Sequence, residues 1–157
     1  MKAYLFPNRF KILGYIIFSI GLLASLVLIY NEFEYEPELF DFKMVSLYSS
    51  GEIFQKEKGY FIWTNQNIFN ELCSILLILG GIFIGFSKEK IEDEFIKQLR
   101  LNALATSVYA NYGILALAFL FVHGLDFFHV MVYNMFTLLF IFIIVFHINF
   151  KKLSDGR

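Results

Sequence analysis

The chain has 157 residues, of which 58% are hydrophobic and 20% aromatic, with 21 Phe against 2 Pro. This composition lies outside the range of ordinary soluble domains and is typical of a membrane protein with a single domain. The 13 Lys and Arg against 14 Asp and Glu give no overall basic charge, which argues against a nucleic-acid partner, and the single Cys73 excludes a disulfide within one chain.

An uncharged segment over residues 12–31 follows the basic residues Lys2, Arg9 and Lys11. Its apolar region is longer than that of a signal peptide and no small-x-small cleavage site follows it, so it predicts a retained membrane span. Gly21 and Ser25 are four residues apart and share one helix face, where another helix can approach closely.

An acidic linker over residues 32–67 comes next, with seven acids against three lysines. Phe42 to Tyr48 and Gly59 to Asn65 are rich in β-branched and aromatic residues and flank the turn-prone Ser49 to Glu52. This pattern predicts a β-hairpin. The aromatic residues next to the following span are expected at the level of the lipid headgroups.

A second span is predicted over residues 68–86, with Glu71 in its first turn and the small-residue motif Gly81-x-x-x-Gly85 near its end. Residues 87–100 then carry four basic and four acidic residues. Apolar residues recur every four positions and opposite charges lie at i,i+4, which predicts a charged amphipathic helix. This helix can lie on the membrane surface or extend into the next span.

The fifty residues from Leu101 to Phe150 contain one formal charge, Asp126. About 20 apolar residues cross a bilayer once, so this stretch predicts two spans. The break is expected at His123 to Asp126, where a glycine and the charge can form a turn. The predicted spans cover residues 102–123 and 127–149, and Asn134 in the second is expected to hydrogen-bond another helix.

The distribution of basic residues predicts the orientation. The N-terminal segment, the 87–100 segment and the C-terminal tail hold ten Lys and Arg, whereas the acidic linker holds three and the Asp126 turn none. Because basic residues stay in the cytoplasm, both termini are expected inside and the linker outside. The fold class is therefore an all-α membrane protein of four spans with a small outer loop that contains the hairpin.

Four polar residues suggest a metal or proton site at the outer face. His123, Asp126 and His129 are three residues apart around the turn, and Glu71 near the outer end of the second span could join them. The alternative is that these side chains are simply solvated at the interface. Sequence motifs of phosphate-binding loops, serine hydrolases and zinc proteases are absent, so we expect neither an enzyme nor a cofactor.

Five further motifs are distributed along the chain: Leu5-Phe6-Pro7-x-Arg9-Phe10, Gly85 to Lys90, Glu92 to Leu101, Tyr109-x-Asn111-Tyr112 and Val132 to Thr137. In these motifs the chain resembles a group of small four-span membrane proteins of Bacteroidota-type bacteria. The resemblance covers most of the chain and implies a bacterial origin and a four-span layout. It implies no activity.

The sequence favours a non-enzymatic accessory or regulatory protein of the bacterial inner membrane. Its expected contact with a cytoplasmic protein partner is the charged helix, through Glu92, Asp93, Lys97 and Arg100, and association of several copies is left open. The alternative function is a small carrier or metal-responsive protein that uses Glu71, His123, Asp126 and His129.

Overall fold

The computed structural model describes residues 4–31, 35–49, 59–90 and 92–155. They form two compact units, Met1–Ile20 with Leu76–Arg157, and Gly21–Ile75. The described elements are α1 (Arg9–Tyr30), a 3₁₀ turn (Glu38–Phe40), β1 (Asp41–Ser49), β2 (Gly59–Asn67), α2 (Phe69–Gly85), α3 (Glu94–Phe121) and α4 (Leu125–Asp155).

Three of these helices, α1, α3 and α4, are long and apolar enough to cross a membrane. They agree with the prediction of a multi-pass membrane protein. The predicted second span corresponds to α2, which is apolar but has only 17 residues. At 1.5 Å per residue it is about 25 Å long, slightly less than the hydrocarbon thickness of a typical bilayer.

Helices α3 and α4 form a hairpin whose turn lies where the sequence predicts it. α3 ends at Phe121, α4 begins at Leu125, and between them Gly124 has a φ of 74°, a left-handed conformation that glycine adopts without strain. Near the opposite end of this hairpin, Ile96, Ala103, Phe142 and Phe146 form the buried core. Ala103 is fully buried there, so its small side chain lies in the packed interior.

Glycines allow close helix contacts in the first unit. A Cβ atom on Gly80 would lie 2.6 Å from the backbone nitrogen of Phe18 in α1. At Gly81 and Gly85, the two positions of the small-residue motif, a Cβ atom would overlap the side chains of Leu139 and Phe142 in α4, respectively. One face of α2 thus packs on α1 and another on α4.

A polar pair joins the middle of the α3–α4 hairpin. The side-chain amides of Asn111 and Asn134 donate to each other's oxygens, at nitrogen–oxygen distances of 3.4 Å and 3.1 Å. Asn134 therefore has the interhelical partner that its place in an apolar helix requires.

The second unit contains the predicted β-hairpin. β1 and β2 are antiparallel, with Asp41 opposite Asn67 at the base and Ser49 opposite Gly59 at the far end. This confirms two paired strands; the residues predicted to form their turn, 50–52, lie outside the described part of the chain. Gly21 is buried and Ser25 half-buried in the part of α1 that belongs to this unit.

The predicted helix over residues 87–100 begins later than expected. Asp93 caps α3, because its side chain accepts a hydrogen bond from the backbone nitrogen of Ile96 at 2.8 Å, and the helix starts at Glu94. Residues 86–90 are not helical; they pair with the N-terminal segment through a parallel bridge between Phe6 and Ser87. Ile91, part of the predicted apolar period, lies outside the described residues.

Candidate functional site

A cluster of charged residues closes the end of the first unit where α3 begins and α4 ends. Its members, which we call the ionic junction, are Lys11, Glu89, Glu92 and Arg100. Arg100 lies about two turns into α3 and is only 6% exposed. A charge so deeply buried is costly unless it is paired and hydrogen-bonded, so its partners define the site.

Arg100 has partners for most of its guanidinium group. Its Nη1 donates to Oε1 of Glu92 at 2.8 Å, and its Nη2 donates to the backbone oxygen of Ser87 at 3.1 Å. The Nη2 atom also lies 3.4 Å from Oε2 of Glu92, which completes a two-pronged contact between guanidinium and carboxylate. The guanidinium carbon is 5.1 Å from the centre of the Phe146 ring in α4. Arg100 therefore links α3, α4 and the segment between α2 and α3.

The second ion pair joins α1 to the same segment. Lys11 pairs with Glu89, and the two side chains are 15% and 7% exposed. The ammonium nitrogen of Lys11 also lies 5.7 Å from the centre of the Phe150 ring in α4. Glu89 and Glu92 are held together because the backbone nitrogen of Glu89 donates to Oε2 of Glu92 at 2.9 Å. The two ion pairs thus form one connected network.

Backbone contacts hold the N-terminal segment against the junction. The nitrogen of Phe6 donates to the oxygen of Phe86 at 3.0 Å, and the nitrogen of Lys88 donates to the oxygen of Phe6 at 2.9 Å. The side-chain amide of Asn8 donates to the oxygen of Lys88 at 2.7 Å. The Phe6 ring meets the Phe83 ring edge-on, with 5.2 Å between their centres. The segment before α1 is therefore an integral part of the site.

Tyr15 and His147 connect α1 to α4 one turn further along. Nδ1 of His147 lies 2.8 Å from the carbonyl oxygen of Ile143, which can only accept, so in the neutral imidazole the proton is on Nδ1. The remaining nitrogen, Nε2, then accepts a hydrogen bond from the Tyr15 hydroxyl. The two residues are 132 positions apart, so no local pattern in the sequence indicates this contact.

The internal ion pairs leave the outer surface of this end basic. Within the described residues, six exposed basic residues lie in the segments that meet at the junction, and we call them the basic rim: Arg9, Lys88, Lys90, Lys97, Lys151 and Lys152. Glu94 is exposed among them and pairs with Lys97 at 3.2 Å, a surface contact of small energetic value. The segment 87–100 has as many acids as bases, but Glu89 and Glu92 point inward. The exposed charge is therefore positive.

The four residues predicted to bind a partner differ in exposure and in their contacts. Arg100 and Glu92 belong to the internal ion pair, and Asp93 caps α3. Lys97 is 48% exposed and remains accessible. The correction has a physical reason: Arg100 is in α3, but Glu92 precedes the helix, which starts at Glu94, so a helical pattern that runs through the whole 87–100 segment does not place Glu92. Lys11 and Glu89 were not predicted, since residues 78 positions apart give no local signal.

The four residues of the predicted metal or proton site are all exposed. His123 and Asp126 flank Gly124 in the turn between α3 and α4, His129 follows in the first turns of α4, and Glu71 lies in the first turn of α2 in the other unit. Among the described residues, no three His, Cys, Asp or Glu side chains are grouped so that they could hold a metal ion. The geometry therefore gives the metal hypothesis no support, and the site stays a prediction.

Comparisons of the chain with protein-family models, with curated proteins and with solved structures find no match.

Proposed function

We propose that the chain is a four-span protein of the bacterial inner membrane with both termini in the cytoplasm, and that it acts there as a non-enzymatic accessory protein. Its basic rim would bind an acidic surface of a cytoplasmic protein. The observation that carries this proposal is the inward pairing of Glu89 and Glu92, which leaves six basic side chains around one end of the first unit.

The orientation follows from the same surface. Basic residues beside membrane spans are retained in the cytoplasm. The rim lies where α1 and α3 begin and α4 ends, so placing it inside requires α2 to cross the membrane as the fourth span. A 17-residue helix is at the lower limit of spanning length, and local thinning of the bilayer accommodates such a helix at modest cost.

An exposed aromatic residue within the rim favours a protein partner. Phe95 in the first turn of α3 is 54% exposed and lies between Glu94 and Ile96, two residues before Lys97. Aromatic side chains at the centre of a polar surface commonly supply much of the binding energy of a protein interface, while surrounding charges steer association. The rim has both features.

Charge reversal at the rim tests the proposal. A photo-crosslinking residue at Phe95 in the full-length protein should capture one cytoplasmic protein in living cells, and Lys88→Glu or Lys97→Glu should lower the yield several-fold. Lys43→Glu, which reverses an exposed lysine of the hairpin, is the matched control and should leave the yield unchanged. Equal yields from all variants would reject the rim as the contact, and adducts with lipid alone would show that the rim binds anionic headgroups instead.

Accessibility labelling tests the orientation separately. In a Cys73→Ser background, a cysteine at Lys152 should react with a membrane-impermeant maleimide only after spheroplasts are permeabilised, whereas a cysteine at Asn65 should react before. The reverse order, or labelling of both from outside, would contradict the four-span arrangement.

A further inference from the structure

The exposed surface of α3 is more polar than a surface that contacts only lipid should be. Tyr109 and Tyr112 are 79% and 61% exposed, and neither hydroxyl has a hydrogen-bond partner in the described part of the chain. On α1, by contrast, the large exposed side chains from Ile12 to Ile29 are aliphatic except Tyr15, whose hydroxyl is bound by His147. The surface of α3 therefore needs a different neighbour from that of α1.

Both tyrosines of α3 lie deep in the predicted span. The uncharged part of this helix runs from Leu101 to Phe121 and is about 30 Å long at 1.5 Å per residue. On the same scale, Tyr109 and Tyr112 lie about 12 Å and about 16 Å from its first residue, close to the middle. Tyrosine favours the membrane interface, where its hydroxyl stays hydrated, and an unpaired hydroxyl in hydrocarbon is costly. Lipid alone does not satisfy these two side chains.

The packing of α3 on α4 leaves the tyrosine side of the helix uncovered. Ala103 and Asn111 are buried on the side that contacts α4, where Asn111 bonds Asn134. Five exposed positions on the opposite side recur at alternating spacings of three and four residues, which is the spacing along the seam of a coiled coil. We call these five residues the tyrosine face: Asn102, Ala105, Tyr109, Tyr112 and Ala116.

The chemistry of the tyrosine face favours a second copy of the chain as its neighbour. A tyrosine hydroxyl both donates and accepts, so two tyrosines can bond each other, as the two identical amides of Asn111 and Asn134 do inside the fold. Copies of one chain enter the membrane in the same orientation, so a parallel pair brings the tyrosines of both α3 helices to the same depth. A helix of a different protein would need matching polar side chains at that depth.

Small residues on the same face allow two helices to approach closely. Ala105 lies one turn before Tyr109, and Ala116 lies one turn after Tyr112. In a parallel coiled coil, each seam residue inserts into a hole formed by four residues of the facing helix. The Tyr112 ring of one copy enters the hole that Ala116 of the second copy helps to form, and the small alanine side chain leaves room for it.

We infer that the tyrosine face is a homodimer interface, in which the α3 helices of two parallel copies pack side by side and the hydroxyls of Tyr109 and Tyr112 pair across the contact. This inference requires that α3 crosses the membrane, and it does not depend on the basic rim. A failure to capture a cytoplasmic protein would therefore leave it unaffected. The competing occupants are lipid and a helix of a different membrane protein.

Disulfide formation between identical cysteines tests the contact. In full-length Cys73→Ser protein in native membranes, Ala116→Cys places a small thiol on the tyrosine face. Two such thiols lie at the same depth in a parallel pair, so the membrane-permeant oxidant copper–phenanthroline should produce a cross-linked species of twice the chain mass.

Ile114→Cys is the matched control, because Ile114 is 49% exposed at nearly the same depth but lies on another side of α3. Its yield of dimer should be several-fold lower than that of Ala116→Cys. Equal yields would indicate random collision in the membrane, and adducts of Ala116→Cys with a different protein would identify another occupant; either result would overturn the inference. Retention of both variants in the membrane after carbonate extraction makes an absent dimer count against the interface rather than against insertion.

Removal of the hydroxyls tests which atoms hold the two copies together. Donor- and acceptor-labelled copies, each labelled at Lys152→Cys in the Cys73→Ser background, are mixed in phosphatidylcholine vesicles, and energy transfer is followed as lipid is added. The double variant Tyr109→Phe, Tyr112→Phe keeps both rings and should raise the dissociation constant several-fold, because a symmetric pair loses both copies of each hydroxyl. Tyr30→Phe, at the exposed end of α1, should leave the constant unchanged. An unchanged constant for the double variant would reject the hydroxyl pairing.

Discussion

The ionic junction of the first unit and the hairpin base of the second both connect neighbouring segments of the chain, but they do so with different side-chain chemistry. At the junction, two ion pairs join α1 and α3 to the segment between α2 and α3. At the hairpin base, one neutral amide and a pair of phenylalanine rings join the strands to α2. The charges of the junction are buried, whereas the aromatic residues of the hairpin are exposed.

This difference shows how the free energy of each region responds to a lost partner. A buried charge without its partner keeps the full cost of desolvation, so the removal of one member of a buried ion pair lowers the free energy of unfolding strongly. A neutral amide that loses its partners costs less, because its remaining groups are cheaper to leave unpaired. A single substitution should therefore destabilise the protein more at the junction than at the hairpin base.

The largest effect is expected from removal of Arg100. Arg100→Ala leaves the carboxylate of Glu92 buried without its main partner, and breaking such a pair costs about 3 to 5 kcal/mol. Reversible unfolding in mixed detergent micelles would measure it. The double variant Glu92→Gln, Arg100→Met removes both charges and should recover a large part of that loss. If the double variant is as unstable as Arg100→Ala, packing rather than charge accounts for the effect.

The next largest effect tests whether close backbone contact, independent of charge, holds the helices of the first unit. A Cβ atom on Gly80 would lie 2.6 Å from a backbone atom of Phe18, which cannot move aside as a side chain can. Gly80→Ala should therefore cost about 1 to 3 kcal/mol through overpacking.

Gly113 supplies the matched control for that substitution. A Cβ atom at Gly113 would meet nothing within 4 Å, so Gly113→Ala in α3 should be neutral or stabilise by up to about 1 kcal/mol through helix propensity. Equal destabilisation by both substitutions in the same unfolding measurement would contradict the close α1–α2 contact.

At the hairpin base a smaller effect is expected. Asn67→Ala removes the contacts to Pro37, Asp41 and Phe69, and because the Asp41 carboxylate stays exposed to water, the loss of these hydrogen bonds costs about 1 to 2 kcal/mol. The loss should be local: fluorescence anisotropy of Trp63 should fall while the unfolding midpoint of the helices changes little. A large drop in that midpoint would show that the two connections do not differ as we describe.

The same contrast explains what the sequence could predict. The turn at Gly124 and the strands around residues 41–49 and 59–67 depend on residues close in the chain, and local patterns indicate them correctly. The ionic junction depends on Lys11 and Glu89, whose pairing brings distant segments together. Opposite charges four apart, Lys90 with Glu94 and Asp93 with Lys97, favoured a helix over the whole 87–100 segment, but Asp93 caps α3, so the helix starts only at Glu94.

The local sequence pattern also does not predict which basic residues of the 87–100 segment are buried. Arg100 and Lys97 are both basic residues in one predicted amphipathic helix, yet Arg100 is buried against Phe146 and Lys97 is exposed. Only the packing of α4 on α3 distinguishes them. Of the four residues of the predicted contact surface, Lys97 therefore remains available, Glu92 and Arg100 pair inside the fold, and Asp93 caps α3.

The smallest effect is expected at Ser87, and it tests which atoms of the junction matter. Within the described part of the chain, the Ser87 hydroxyl is buried without a hydrogen-bond partner, whereas the backbone oxygen of the same residue accepts from Arg100. Ser87→Ala keeps that oxygen and removes a desolvated polar group, so stability should be unchanged or slightly higher. Clear destabilisation in the unfolding measurement used for Arg100→Ala would mean that the hydroxyl contributes to the network. The guanidinium would then be held by more than the Glu92 carboxylate, the Ser87 carbonyl and the Phe146 ring.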